Sequence, residues 1–157
     1  MIGEAVGRTD ALYYVDGVHL TAHAPIDMAS IGADFFVCSP YKFLGPHIGM
    51  LAASPALLET LHPDKLRPST EEVPDRFELG TLPYELLAGV TAAIDVLADL
   101  VPGDEDAMSR RDRIVRSMSV LEEYEDELRD RMRAGLDAID GVHCRGHAPQ
   151  RTPTELF

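Results

Sequence analysis

Two short apolar runs, Ala11-Leu12-Tyr13-Tyr14-Val15 and Asp34-Phe35-Phe36-Val37-Cys38, constrain this chain more than any other feature. Both are rich in aromatic and β-branched residues, and both stop at polar groups. Asp16-Gly17 follows the first; Ser39-Pro40-Tyr41-Lys42 follows the second. Runs of this kind read as buried strands. The segment between them, with a short helix or turn expected over Pro25 to Gly32, is long enough for a crossover. The two strands are therefore expected to lie parallel in one sheet. Open α/β sheets gather ligands outside the carboxyl ends of their strands, which is where Asp16 and the Ser39–Lys42 turn would fall.

The rest of the chain extends an α/β pattern. Ile48 to Ala53 reads as a third strand, and Ser54-Pro55 as a cap with proline in the first turn of a short helix through Leu61. His62 to Asp75 is proline-rich and polar, a loop. From Pro83 to Leu100, Leu86, Leu87, Val90, Ala93, Ile94, Leu97 and Leu100 recur at helical spacing, until Pro102-Gly103 ends the helix. A longer helix is expected over Ser109 to Ile139, with one apolar stripe through Ile114, Met118, Leu121, Tyr124, Leu128, Met132, Leu136 and Ile139. Glu125 with Arg129, and Glu127 with Arg131, are spaced for ion pairs along it. Gly141 to Arg145 reads as the start of another strand.

Charge and composition exclude several functions. The net charge of -13 argues against a nucleic-acid partner, which needs clustered Lys and Arg. The most apolar window, Leu86 to Val101, is broken by Asp95 and Asp99, so no membrane span is expected. Met1 to Gly7 lacks the basic start and apolar stretch of a signal peptide. Cys38 and Cys144 fit no disulfide or zinc spacing, and Cys38 reads as a small core residue. A reducing, cytoplasmic setting is expected. His19 and His23 are four apart but lie in a segment that reads as loop, and His143, Cys144 and His147 lack a second cluster, so no metal is expected.

Lys42 is one of only two lysines among fourteen basic residues. With an apolar strand behind it and a Gly-Pro turn ahead, it is expected at a sheet edge. Burial there would favour a neutral amine able to form a Schiff base with a carbonyl. Taken alone, such a lysine also reads as a solvated loop residue, and Asp16 alone as a turn former.

Three blocks taken in order carry more: Asp16-Gly17-Val18-His19, then Ser39-Pro40-Tyr41-Lys42, then Arg76-Phe77-Glu78-Leu79-Gly80-Thr81. In this order and spacing they resemble the class V aminotransferases, pyridoxal-phosphate (PLP) enzymes of fold type I, in the cysteine desulfurase-like branch. The resemblance implies an α/β fold, part of the PLP-dependent transferase large domain, with a mostly parallel sheet and flanking helices. A long helix would then lead into an incomplete α+β small domain. The corresponding division is 1–105 for the partial PLP-binding domain and 106–157 for the linking helix and the start of the small domain.

The resemblance also implies roles. Lys42 would hold the PLP aldehyde and shuttle the substrate's α-proton, while Asp16 would keep the pyridine nitrogen protonated. His19 stands where desulfurases commonly carry Gln, a donor to the ring oxygen. Ser39 and Tyr41 stand where the family holds the phosphate, although desulfurases usually have His at the Tyr41 position. Thr81 matches a threonine that reaches the phosphate from the partner subunit, which implies a homodimer with composite sites. The partner implied is a small-molecule amino-acid substrate.

Family members run to about twice this length or more, so the resemblance implies a fragment. The ring stacked on the cofactor, the phosphate turn and the desulfurases' catalytic cysteine would lie in segments this sequence lacks, and neither Cys38 nor Cys144 matches that cysteine. Two readings therefore stand: a PLP-dependent enzyme acting on an amino acid, or a truncated, catalytically inactive family member or interaction partner.

Overall fold

The structure is a computed structural model, and it describes residues 2–103, 107–146 and 148–157. Its elements are strands β1 (Tyr14–Asp16), β2 (Phe35–Cys38) and β3 (Met50–Ala53), with helices α1 (Ile2–Val6), α2 (Met28–Ile31), α3 (Pro55–Glu59), α4 (Tyr84–Ala98) and α5 (Arg110–Asp137). The chain divides into two compact units. One comprises 1–18 with Asp27–Ala93; the other comprises His19–Ile26 with Ile94–Phe157. The domain boundary expected at 105/106 lies outside the described residues. Among them, no helix is long and apolar enough to cross a membrane.

The first unit holds a three-stranded sheet in the order β1-β2-β3. β1 and β2 are parallel, as their spacing predicts, with Val15 opposite Phe36 and Asp16 opposite Val37. β3 is antiparallel to β2, pairing Phe35 with Ala53 and Cys38 with Met50. Because side chains alternate along a strand, Val15, Phe36 and Ala52 share one face while Tyr14, Phe35 and Ala53 share the other. Phe36 is buried, whereas Tyr14 stays exposed with its ring stacked on Phe35 at 5.8 Å. The crossover contains α2, started by the Asp27 side chain accepting from the N–H groups of Ala29 and Ser30. It is ended by Gly32 at φ +74°, a left-handed conformation glycine adopts without penalty. Ser54 caps α3 through Leu57 N–H, with Pro55 in the first turn.

Arg76 is buried in this unit. Its guanidinium pairs with Glu59 and donates to the Leu61 carbonyl at 3.2 Å, tying the loop before Thr81 to the end of α3.

In the second unit Ser109 caps α5 by accepting from Asp112 N–H, a contact of about 1 kcal/mol. Ser117 is fully buried there. Its hydroxyl donates to the Ala98 carbonyl and accepts from Val101 N–H at 3.2 Å, joining α5 to the end of α4. Three expectations are corrected in this unit. Gly141 to Arg145 does not form a strand; a single bridge joins Arg145 to Leu156. Glu125 bonds His23 instead of Arg129, which pairs with Asp126 and Asp130, and no ion pair among the described residues joins Glu127 to Arg131. The apolar stripe of α5 is covered only in part. Met118 is buried, but Tyr124, Leu128, Met132 and Ile139 are exposed.

Candidate functional site

Parallel pairing sets the carboxyl ends of β1 and β2 side by side. Asp16 closes β1, and the Gly17 N–H that follows donates to the Val37 carbonyl at 2.9 Å. Immediately after β2, Ser39 opens a 3₁₀ turn over Pro40–Phe43, fastened by Lys42 N–H to the Ser39 carbonyl at 2.9 Å and Gly45 N–H to the Pro40 carbonyl at 2.8 Å. Pro40 is fully buried, so the turn is pinned from beneath. Leu44 closes it at φ +70°, a left-handed conformation that costs a non-glycine residue about 1–2 kcal/mol. Such strain persists only where surrounding contacts enforce it, and it clusters at functional sites.

Asp16 and Lys42 therefore reach one edge of the sheet. One Asp16 carboxylate oxygen accepts from Val18 N–H at 3.0 Å, and the other makes no hydrogen bond among the described residues. The Lys42 ammonium lies 5.3 Å from the centre of the Tyr41 ring, which stacks on His47 at 4.9 Å and 10°. Lys42 is exposed, so the burial expected at this edge is not found; only Phe36 of the strand behind it is buried. The Ser39 hydroxyl makes no cap bond to its own turn and no other hydrogen bond among the described residues. Beneath the edge, Gly17 is required for space: a Cβ there would come within 1.9 Å of Phe36 Cζ.

Thr81 is exposed between the Arg76 loop and α4, and no contact among the described residues joins it to Asp16 or Lys42. His19 belongs to the second unit. Its Nε2 lies 2.9 Å from the Thr152 hydroxyl and 3.0 Å from that of Thr154, and its ring is 4.7 Å from His23. His147, named in the second candidate metal cluster, lies outside the described residues. His47 is the residue that motif reading missed. It reads as part of a Gly-Pro turn, and only the fold shows that the turn carries it back onto Tyr41.

Both cysteine thiols are shifted away from the thiolate. Burial pushes the Cys38 thiol up, and desolvation followed by the Asp137 carboxylate does the same for Cys144. A reactive thiolate needs the opposite shift. Cavities of about 440 and 470 Å³ open elsewhere, one beside Thr70, Glu78 and Tyr84, the other beside His23, Glu122 and Arg151. Neither is lined by Asp16 or Lys42.

The donor set at the β1–β2 edge fits pyridoxal phosphate in kind: an amine, a carboxylate with a free oxygen, and unspent hydroxyls on a rigid turn. Residues 1–156 match the aminotransferase class-V family model. A probable cysteine desulfurase of Halalkalibacterium halodurans is 31% identical over 162 residues, covering 96% of this chain and 36% of the relative. A cysteine desulfurase of Klebsiella pneumoniae is also 31% identical, over 82% of this chain and 30% of the relative. The chain thus spans about a third of the length of these curated relatives. The apo structure of a cysteine desulfurase from Thermococcus onnurineus superposes with a TM-score of 0.72 at 22% identity, covering 94% of this chain and 36% of that one, a likeness of fold. The α/β arrangement is the fold of these cysteine desulfurase structures. By both sequence match and architecture, the polypeptide belongs to the aminotransferase class-V family.

Proposed function

We propose that this chain is the cofactor-anchoring part of a PLP-dependent enzyme acting on an amino-acid substrate, with Lys42 as its catalytic amine. The observation that carries this reading is the parallel register of β1 and β2, which delivers the Asp16 carboxylate and the Lys42 turn to one sheet edge. The second lysine is otherwise engaged: Lys65 binds Glu71 at 2.7 Å and the Ser69 carbonyl at 2.8 Å, while Lys42 makes no ion pair among the described residues.

Pyridoxal phosphate, when bound, supplies an electron sink for charge developing at the substrate's α-carbon. Lys42 would hold its aldehyde through the side-chain amine and move the proton at that carbon. Asp16 would hold a proton on the pyridine nitrogen. The Ser39 hydroxyl and the Tyr41 phenol would bind the phosphate. His19, toward the ring oxygen, and Thr81, toward the phosphate of a partner subunit in a homodimer, are assigned by sequence pattern alone. The division into 1–105 and 106–157 belongs to the same reading. So does a cytoplasmic setting, supported by two free cysteines.

A specific observation favours the alternative of a family member without catalysis: both Asp16 and Lys42 are exposed, whereas catalytic pairs act best where water is excluded. Titrating the purified chain with pyridoxal phosphate separates the two. The proposal requires the visible band of lysine-bound cofactor in the wild type and its loss in Lys42→Ala. No band at excess cofactor would leave the non-catalytic reading.

A further inference from the structure

The chain that leaves the Lys42 turn doubles back over it. Leu44 takes its left-handed conformation, and Gly45 then passes so close to Pro40 that a Cβ would lie 2.8 Å from the Pro40 Cβ. Pro46 follows with its φ fixed by the ring. It rests against α4, where a Cβ on Gly89 would come within 3.3 Å of Pro46 Cγ. Pro40 is fully buried, so the backbone is fastened on both sides of Leu44. The next residue, His47, is thereby delivered onto Tyr41, with ring centres 4.9 Å apart and planes 10° from parallel.

The pair stands in the open. Tyr41 is 44% exposed and His47 is exposed, so the stack removes little apolar surface from water and adds little to stability. Neither the Tyr41 hydroxyl nor the His47 nitrogens hydrogen-bond to another group among the described residues. What the stack does restrict is the direction of the phenol. An exposed tyrosine samples several staggered rotamers, whereas a parallel imidazole admits only those that keep the two rings face to face. The Lys42 ammonium lies 5.3 Å from the centre of the same Tyr41 ring. The phenol is therefore set beside the amine before any ligand arrives, which lowers the ordering cost of binding one.

We propose that His47 is a positioning residue for the cofactor phosphate: stacked on Tyr41, its imidazole holds the phenol hydroxyl ready for that group. This rests on the reading of Lys42 and Tyr41 given above and adds to it a residue that acts only through Tyr41. The test titrates the whole chain with pyridoxal phosphate and with pyridoxal, which lacks the phosphate, and reads the visible band of lysine-bound aldehyde at one pH. In His47→Ala the affinity for pyridoxal phosphate should fall about three- to tenfold, the effect of losing one aromatic pair, while that for pyridoxal stays as in wild type. His47→Phe keeps a ring to stack and should retain the wild-type preference for the phosphorylated aldehyde. Tyr41→Phe should lose that preference, and His47→Ala added to it should cause no further loss.

An unchanged preference in His47→Ala, an equal fall for both aldehydes, or a His47→Phe variant as weak as His47→Ala would overturn the proposal. Proton NMR of the chain without cofactor gives a second readout. The His47 imidazole protons should be shifted upfield by the Tyr41 ring and return in Tyr41→Leu; unshifted protons in the wild type would sink the proposal at its first step. No band on Lys42 with either aldehyde would remove the cofactor reading itself and this inference with it, a failure distinct from a Lys42 band that ignores His47.

Discussion

Replacing Gly17 by alanine probes the packing that holds the β1–β2 edge in place. A Cβ at Gly17 would stand 1.9 Å from Phe36 Cζ and 2.5 and 2.6 Å from the two Cε atoms. Carbon atoms rest at about 3.5–4.0 Å, so ring or backbone must retreat by roughly 1.5–2 Å. Neither has an easy route. Phe36 is 4% exposed, and the Gly17 N–H is tied to the Val37 carbonyl. Overpacking of a filled core costs about 1–3 kcal/mol, and contact with three ring atoms puts this case near the upper end. For a chain of this size each kcal/mol lowers Tm by about 2–4 °C, so Gly17→Ala should melt roughly 6–12 °C below wild type by calorimetry. Shortening the obstructing ring should relieve it. Gly17→Ala with Phe36→Leu is expected to be more stable than the sum of the single losses by about 1 kcal/mol. A drop in Tm of less than about 2 °C, or strict additivity in the double variant, would show that the ring does not fill the space over Gly17.

Arg76→Ala should destabilise the chain by about 1–3 kcal/mol in urea titrations, because a buried side chain and its bond to the Leu61 carbonyl are lost. Glu59→Gln should cost under about 1 kcal/mol, since the Glu59 side chain is 60% exposed; equal losses would show that the ion pair, not the burial, matters. The Lys65 hydrogen bond and charge hold Glu71 below the ordinary carboxylate value of 4.5. Its pKa is thus lower folded than unfolded, so its stabilisation is present above the unfolded value and lost as pH falls through the folded one. The urea midpoint should therefore fall slightly more steeply below pH 4.5 in wild type than in Lys65→Met, and high salt should remove the difference.

What could be read from sequence follows the range of the interactions involved. The parallel β1–β2 pair was legible because two aromatic, β-branched runs end in polar residues and are separated by a crossover-length segment. The third strand was legible as a run but not in direction, since its antiparallel pairing with β2 is a tertiary contact that the run itself does not encode. Capping is local: α3 starts where the Ser54-Pro55 motif places it, and α5 starts after Ser109, where its range was expected to begin. Contacts distant in sequence were not legible. Spacing four apart predicts a Glu125–Arg129 pair, but tertiary folding brings His23 to Glu125 from 102 positions away. The contacts of His19 with Thr152 and Thr154 span more than 130 positions. Periodicity likewise gives the face of α5 that is apolar, not whether anything covers it. Lys42 and Asp16 could be assigned to a sheet edge from pattern alone, whereas the exposure of Lys42 could not be read from it.

With only Lys42 and Lys65 in the chain, covalent trapping gives an unambiguous readout. The purified protein is incubated with pyridoxal phosphate, reduced with borohydride, digested and mapped by mass spectrometry. The phosphopyridoxyl mass should fall on the peptide containing Lys42, vanish in Lys42→Arg and weaken in Asp16→Asn. Label on Lys65, or label spread evenly over Lys65, Lys42 and the amino terminus, would mean that the β1–β2 edge does not hold the cofactor.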